Sequence, residues 1–442
     1  MKEFIVCSLL FLLVSCNNND SLFVSLPSNK TQIKFQNNLT STTDLNILNY
    51  LYYYNGAGVA AADFNNDGLA DLYFTGNQTA DKLYLNTGGL QFKDITKQAL
   101  INNSTPWTTG VTTVDINNDG FLDIYICKIG AHNSIKGNNL LYINEGPDNN
   151  GIPRFKEAAS FYGLDIASFA TQASFFDYDK DGDLDLFLMN HSLYPNSNYG
   201  KGSIRREVDQ MSGDKLFENK QGKFEDVTSQ SGIFQGKIGY GLGLSIGDVT
   251  NDGYPDIYVG NDFFENDYLY INQKDNTFKE VISKDKTALG HTSHFSMGNA
   301  ISDLNNDSKM DIISLDMLPE NLKTYKTSGL EFPYQTYQYY LKNGYAPQFM
   351  QNTLHYNNGN ETFSEAAYLS GIAATEWSWS PIVGDYDNDG FKDLYITNGI
   401  LGATNDMDYI NFISNEAIQK QLATEKSQRN LELSKQIPQK KV

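Results

Sequence analysis

An acidic nonapeptide recurs six times along this chain, and few folds can use such a repeat. The pattern, Asp-x-[Asp/Asn/Thr]-x-Asp-[Gly/Ser]-x-x-Asp, begins at Asp63, Asp115, Asp177, Asp248, Asp303 and Asp385, at intervals of 52 to 82 residues. Each copy lies between short apolar runs, for example 59–62 and 72–74 around the first and 174–176 and 186–188 around the third. Runs of that length read as strands, being too short for helices. After five copies comes a further strand ending in Asn (82–86, 140–144, 215–219, 268–272 and 353–357), then a Gly- or Asn-bearing turn and a Phe-centred strand. One repeat therefore holds about four short strands, the content of a propeller blade. A repeat array also accounts for 442 residues without asking one core to organise them all.

The loops carry the chemistry. Side chains at positions 1, 3, 5 and 9 are Asp63, Asn65, Asp67 and Asp71 in the first copy and Asp115, Asn117, Asp119 and Asp123 in the second. The third has Asp177, Asp179, Asp181 and Asp185, and the fourth Asp248, Thr250, Asp252 and Asp256. The fifth has Asp303, Asn305, Asp307 and Asp311, and the sixth Asp385, Asp387, Asp389 and Asp393. With a backbone carbonyl at position 7 these are hard oxygen donors in the number calcium prefers, whereas magnesium would ask for a stricter octahedron and more water. Glycine at position 6 (Gly68, Gly120, Gly182, Gly253, Gly390) allows the turn that lets the carboxylates converge. An EF-hand would place a bidentate Glu at position 12 between two helices. Position 12 is instead Phe74, Ile126, Leu188, Val259, Ser314 and Ile396, inside strand-like runs.

Charge supports a cation. The six loops contain 21 Asp, about the size of the whole net charge of −20, and carboxylates so crowded repel unless a cation or protons relieve them. Up to six structural calcium ions are expected, with Thr250 and the Ser308 that replaces the turn glycine marking the two weaker loops. The same negative charge excludes a nucleic-acid partner. Its concentration in loops, with Gly 36, Tyr 28 and Phe 26, separates the chain from a disordered acidic one.

Residues 4–14 form an apolar run too short to span a bilayer, and the chain then reads Leu13-Val14-Ser15-Cys16. This tetrapeptide resembles the lipobox of bacterial lipoproteins. The resemblance implies cleavage before Cys16, lipidation of Cys16, and export to a bacterial outer membrane or cell surface on a lipid anchor. Of the other cysteines, Cys7 lies in the leader and Cys127 in an apolar run where a buried, inert thiol is expected.

The loops, the Leu-Tyr-x-Asn strands and segments such as 54–60, 295–299 and 377–379 resemble the FG-GAP/VCBS repeats of integrin α-subunit propellers and bacterial relatives of cartilage acidic protein, over about residues 45 to 412. The resemblance implies an all-β, β-propeller fold of four-stranded blades, usually seven, with structural calcium on one face. Ligands would bind the opposite face or interblade loops such as 191–213. Six loops are present and the sixth lacks its Leu-Tyr-x-Asn strand, so ring closure stays open. The organisation expected is a signal peptide at 1–15, a lipidated tether and extension at 16–44, propeller repeats at 45–402, and a polar helical segment at 403–442 that reads as continuing in a longer product. Residues 324–350 read as a helical excursion.

No catalytic site emerges. His291 and His294 have no third metal ligand near them in sequence. Gly243-Leu244-Ser245-Ile246-Gly247 has the letters of a hydrolase nucleophile elbow but leads into the fourth acidic loop, with no helix after it. The expectation is a non-enzymatic binding or adhesion scaffold for a protein or glycan. An envelope enzyme acting on polysaccharide and a structural subunit of an outer-membrane complex are the alternatives.

Overall fold

Short apolar runs separated by acidic loops fold as antiparallel meanders, because each loop can reverse the chain between two half-buried strands. The computed structural model describes residues 22–103, 107–194, 202–283, 285, 288–328, 333–414 and 426–438. Cys16 and the leader lie outside the described residues. Five sheets have four strands and follow one plan. The first comprises Val59–Ala62, Asp71–Phe74, Lys82–Asn86 and Phe92–Asp94, and the second Thr108–Val114, Asp123–Lys128, Leu140–Pro147 and Pro153–Glu157. The third comprises Ala170–Phe176, Asp185–Asn190, Lys215–Asn219 and Phe224–Asp226, and the fourth Gly241–Gly247, Asp256–Asn261, Tyr268–Asn272 and Phe278–Glu280. The fifth comprises Asn299–Ser302, Asp311–Ser314, Thr353–Asn357 and Phe363–Glu365, while the sixth pairs only Ser378–Gly384 with Asp393–Asn398.

Register repeats from sheet to sheet. The ninth loop residue always opens the second strand and faces the residue just before the loop, as in Ala62 with Asp71 and Gly384 with Asp393. An Asn of the third strand faces the Phe of the fourth in each four-stranded sheet, from Asn86 with Phe92 to Asn357 with Phe363. First strands of successive sheets lie side by side, so the sheets are arranged as propeller blades. Covered on both faces, the second strands of the second, third and fourth sheets are buried throughout. The two-stranded sixth sheet leaves Ile382 and Tyr395 exposed.

The described part of the N-terminal extension packs on the sheets. Phe23 meets the rings of Tyr386 and Tyr395 beside the sixth sheet, while Phe35 stacks on Phe74 and the Lys34 N–H donates to Tyr84 Oη in the first. Further on, Leu45, Ile47, Tyr50, Tyr52 and Tyr53 enter one buried cluster with Trp107, Ile129, Tyr240, Phe264 and Tyr345, drawn from the sheet ends opposite the acidic loops. This apolar plug ties several blades together. The excursion in the fifth sheet forms helices Leu322–Thr327 and Tyr334–Lys342, the first capped by Asn321 Oδ1, which accepts the Lys323 and Thr324 N–H groups. Helices Met407–Ser414 and Lys426–Ser434 follow the sixth sheet. Cys127 is buried and unpaired with another cysteine, and burial pushes its thiol pKa up.

Candidate metal centres

Two left-handed residues shape every loop. Position 6 has φ between +87° and +97° where it is glycine, and Ser308 adopts +67° in the fifth copy. Position 4 is also left-handed in all six copies, at Asn66, Asn118, Lys180, Asn251, Asn306 and Asn388. Asn tolerates that conformation better than other side chains with a Cβ, which explains why five of these six positions carry it. The recurrence of Asn at position 4 is the sequence signal of that left-handed turn.

The turn aims backbone N–H groups inward at the carboxylates. In the first loop the Asp67 and Gly68 N–H groups donate to Asp63 Oδ1 and Oδ2 at 3.1 and 2.7 Å, and the Leu69 N–H donates to Asp67 Oδ1 at 2.9 Å. The sixth repeats this with Asp389, Gly390 and Phe391 at 3.1, 3.0 and 2.8 Å. The ninth-position Asp is a hinge between loop and sheet. Asp71 Oδ2 accepts the Phe64 N–H at 3.1 Å, and its Oδ1 accepts the Asn86 N–H at 2.8 Å. Asp123, Asp185, Asp256 and Asp311 are held in the same way, by the N–H groups of Asn144, Asn219, Asn272 and Asn357. In the sixth loop the Tyr386 N–H reaches Asp393 Oδ2 at 2.8 Å, and among the described residues no third strand pairs with this sheet to supply the other donor.

Those strand-ending asparagines were read only as a strand signature. The structure shows three of them stapling neighbouring sheets, while Asn86 and Asn219 donate to the Ala70 and Leu184 carbonyls of their own loops. Asn144 Nδ2 donates to the carbonyl of Phe64 at 2.8 Å, Asn272 Nδ2 to that of Tyr178 and Asn357 Nδ2 to that of Val249, each carbonyl belonging to position 2 of the preceding sheet's loop.

The third and sixth loops bring carboxylate oxygens closest together. Oxygens of Asp177, Asp179 and Asp185 lie within 4.8 Å of one another, as do those of Asp385, Asp387 and Asp393. Asp177 Oδ1 and Asp183 Oδ1 are buried with no hydrogen-bond partner, a costly state that a cation would relieve. The donor set is oxygen only, which suits calcium and not a soft metal. The fourth and fifth loops already hold a counter-charge, since Lys274 Nζ lies 3.3 Å from Asp252 and Lys309 Nζ 2.8 Å from Asp307. These are the two copies whose sequences departed from the pattern.

Burial raises the ninth-position carboxyls of the first five loops. Asp71, Asp123 and Asp256 are pushed up to about 6 and Asp185 to about 7, desolvation outweighing the N–H bonds they accept. Asp214 and Asp267, buried outside the loops, are also raised to about 7 by desolvation. A carboxyl whose folded pKa exceeds its unfolded one adds stability that is complete below its unfolded pKa and is lost as pH rises through its folded pKa. Protein stripped of divalent ions is therefore expected to melt at a lower temperature at about pH 8 than at about pH 5, as measured by scanning calorimetry. A flat profile would show that these groups ionise without penalty.

Residues considered for catalysis have other work. Ser245 lies in the first strand of the fourth sheet and its Oγ donates to Asn299 Oδ1 at 2.6 Å. His294 Nδ1 meets Gln348 Oε1 at 3.0 Å, whereas His291 Nε2 faces Gln351 Nε2.

FG-GAP-like repeats match this chain at residues 63–126, 248–314 and 345–396. Human cartilage acidic protein 1 is 33% identical over 136 residues, covering 30% of this chain and 20% of that protein. The Xenopus tropicalis protein of the same name is 32% identical over 139 residues, covering 31% and 21%. This chain thus spans about a fifth of the length of the curated relatives it matches. Among solved structures, the V. cholerae biofilm matrix protein Bap1 aligns over 70% of this chain and 38% of its own, at 12% identity and a TM-score of 0.31, a likeness too slight to carry an inference.

Proposed function

We propose that this chain is a calcium-stabilised binding scaffold of the bacterial cell envelope, without enzymatic activity, anchored through lipidated Cys16. The observation that carries the reading is the division of labour between the two ends of the sheets. One end repeats the same acidic loop six times, and the other carries connections of unequal length and composition. Repetition suits a structural metal that stiffens each first hairpin, and variety suits recognition of a protein or glycan. In the loops, Asp at positions 1, 5 and 9 with Asp, Asn or Thr at position 3 would hold calcium, which would neutralise the crowded carboxylates. The four loops without a lysine partner at position 5 would be the tighter sites.

The anchor is tested by fractionating cells that express the full chain with its leader. The wild type is expected in the membrane fraction, released by detergent and labelled by a radioactive fatty acid. Cys16→Ser is expected to lose the label and to leave that fraction. Unlabelled wild type, or a Cys16→Ser variant that stays membrane-bound, would overturn the anchoring.

A further inference from the structure

The longest connection between second and third strands belongs to the fifth sheet, and it builds a cavity of about 660 Å³ at the end opposite the acidic loops. That volume lies within the range of small-molecule sites, and its lining is dominated by aromatic rings. Tyr337 stacks on Phe349 with centroids 5.7 Å apart, and Phe264 stacks on Tyr340 at 3.9 Å. At the mouth, Tyr334 and Tyr368 remain 70% and 67% exposed and Phe349 45%. Several large rings left in water around one concavity are a costly arrangement for a monomer surface, and such arrangements mark binding sites.

The lining also limits the ligand's chemistry. Among the described residues it contains no Asp, Glu, Lys or Arg, so a charged ligand would be desolvated against them without a counter-charge. Nor is it simply greasy. Tyrosine hydroxyls contribute polar edges beside His294, Gln348 and Gln351, and an aliphatic chain laid over them would cover polar atoms without bonding them. Flat aromatic faces beside neutral donors and acceptors match a molecule with apolar C–H faces and a rim of hydroxyl groups.

On the reading of this chain as a binding scaffold, we infer that the aromatic cavity between helix Tyr334–Lys342 and the 345–351 segment binds a neutral saccharide. Pyranose faces lie on the Tyr337 and Phe349 rings, while the tyrosine hydroxyls at the mouth take up the sugar hydroxyls. A charged sugar is disfavoured, and so is a lipid chain.

The test is calorimetric titration of the purified full chain with maltotetraose, cellotetraose and chitotetraose, backed by an array of neutral glycans, with oligogalacturonate and a fatty acid as comparisons. At least one neutral saccharide is expected to bind, with affinity falling about tenfold or more in Tyr337→Ala and in Phe349→Ala. Because Tyr334 is largely exposed, Tyr334→Ala should keep the wild-type melting temperature and still weaken binding, which separates lost recognition from lost folding. The inference is overturned if no neutral glycan binds, if only the acidic sugar or the fatty acid binds, or if binding is unchanged by all three substitutions. Calcium dependence of the melting temperature is read on the opposite end of the sheets, so a failure of the metal reading would show separately.

Discussion

Stripping divalent cations from the purified chain is expected to lower its melting temperature by about 10 °C or more at neutral pH, and calcium should restore it. A site filled at a hundredfold excess over its Kd adds about 2.7 kcal/mol to the folded state by mass action, provided the unfolded chain does not bind. Four such sites would add about 11 kcal/mol, comparable with the entire stability of an ordinary domain. The loops give the physical reason. In the third, five aspartates share nine residues, and burial together with the neighbouring Asp181 carboxylate holds Asp179 and Asp183 above the ordinary carboxylate range. Without a cation that repulsion can be relieved only by protons, or by a lysine as at Asp252 and Asp307. Calorimetric titration should accordingly resolve the fourth and fifth loops as weaker than the others. Magnesium at equal concentration should restore little, because it gives up its water reluctantly. An unchanged melting temperature after chelation at low ionic strength would sink the metal reading.

The blades were legible because their signals are local and repeated. Alternation of apolar runs with loops set the strands, and one register explains all six copies, so a single reading error could not have survived. The helical excursion was legible from its composition. Less visible were features that depend on what lies across a gap in sequence. That Asn144 reaches the carbonyl of Phe64, 80 residues away, follows only once two sheets are side by side. The packing of Phe23 against Tyr386 and Tyr395 likewise joins segments that no local pattern relates. The long connection 191–213 shows the same difference. Expected among the ligand loops, its described part has His191 and Ser192 buried and Arg205 paired to Glu265 at 2.7 Å. The aromatic cavity lies two sheets further round, in the excursion that the sequence marks only as helical.

Asn144→Asp is expected to be the most damaging single-atom exchange in the fold, costing about 3–5 kcal/mol. Asn144 is fully buried, with Nδ2 donating to the carbonyls of Phe64 at 2.8 Å and Leu122 at 3.1 Å and Oδ1 accepting the Gly146 N–H at 3.0 Å. Aspartate would set a carboxylate oxygen against two carbonyl oxygens, a short distance along the chain from the point where its own N–H holds Asp123. Both carbonyls would lose their donor, and a new charge would be buried with no partner. The informative comparison is Asn86→Asp in the first sheet. Asn86 makes the equivalent bonds within its own sheet, to Asp71 and to the Ala70 carbonyl, but none to a neighbouring sheet's loop. If the inter-sheet staple matters, guanidinium unfolding should show Asn144→Asp costing at least about 1 kcal/mol more than Asn86→Asp, since one additional buried acceptor is orphaned. Equal losses would mean that these asparagines serve only their own strands, and that the blades are held together by their other contacts.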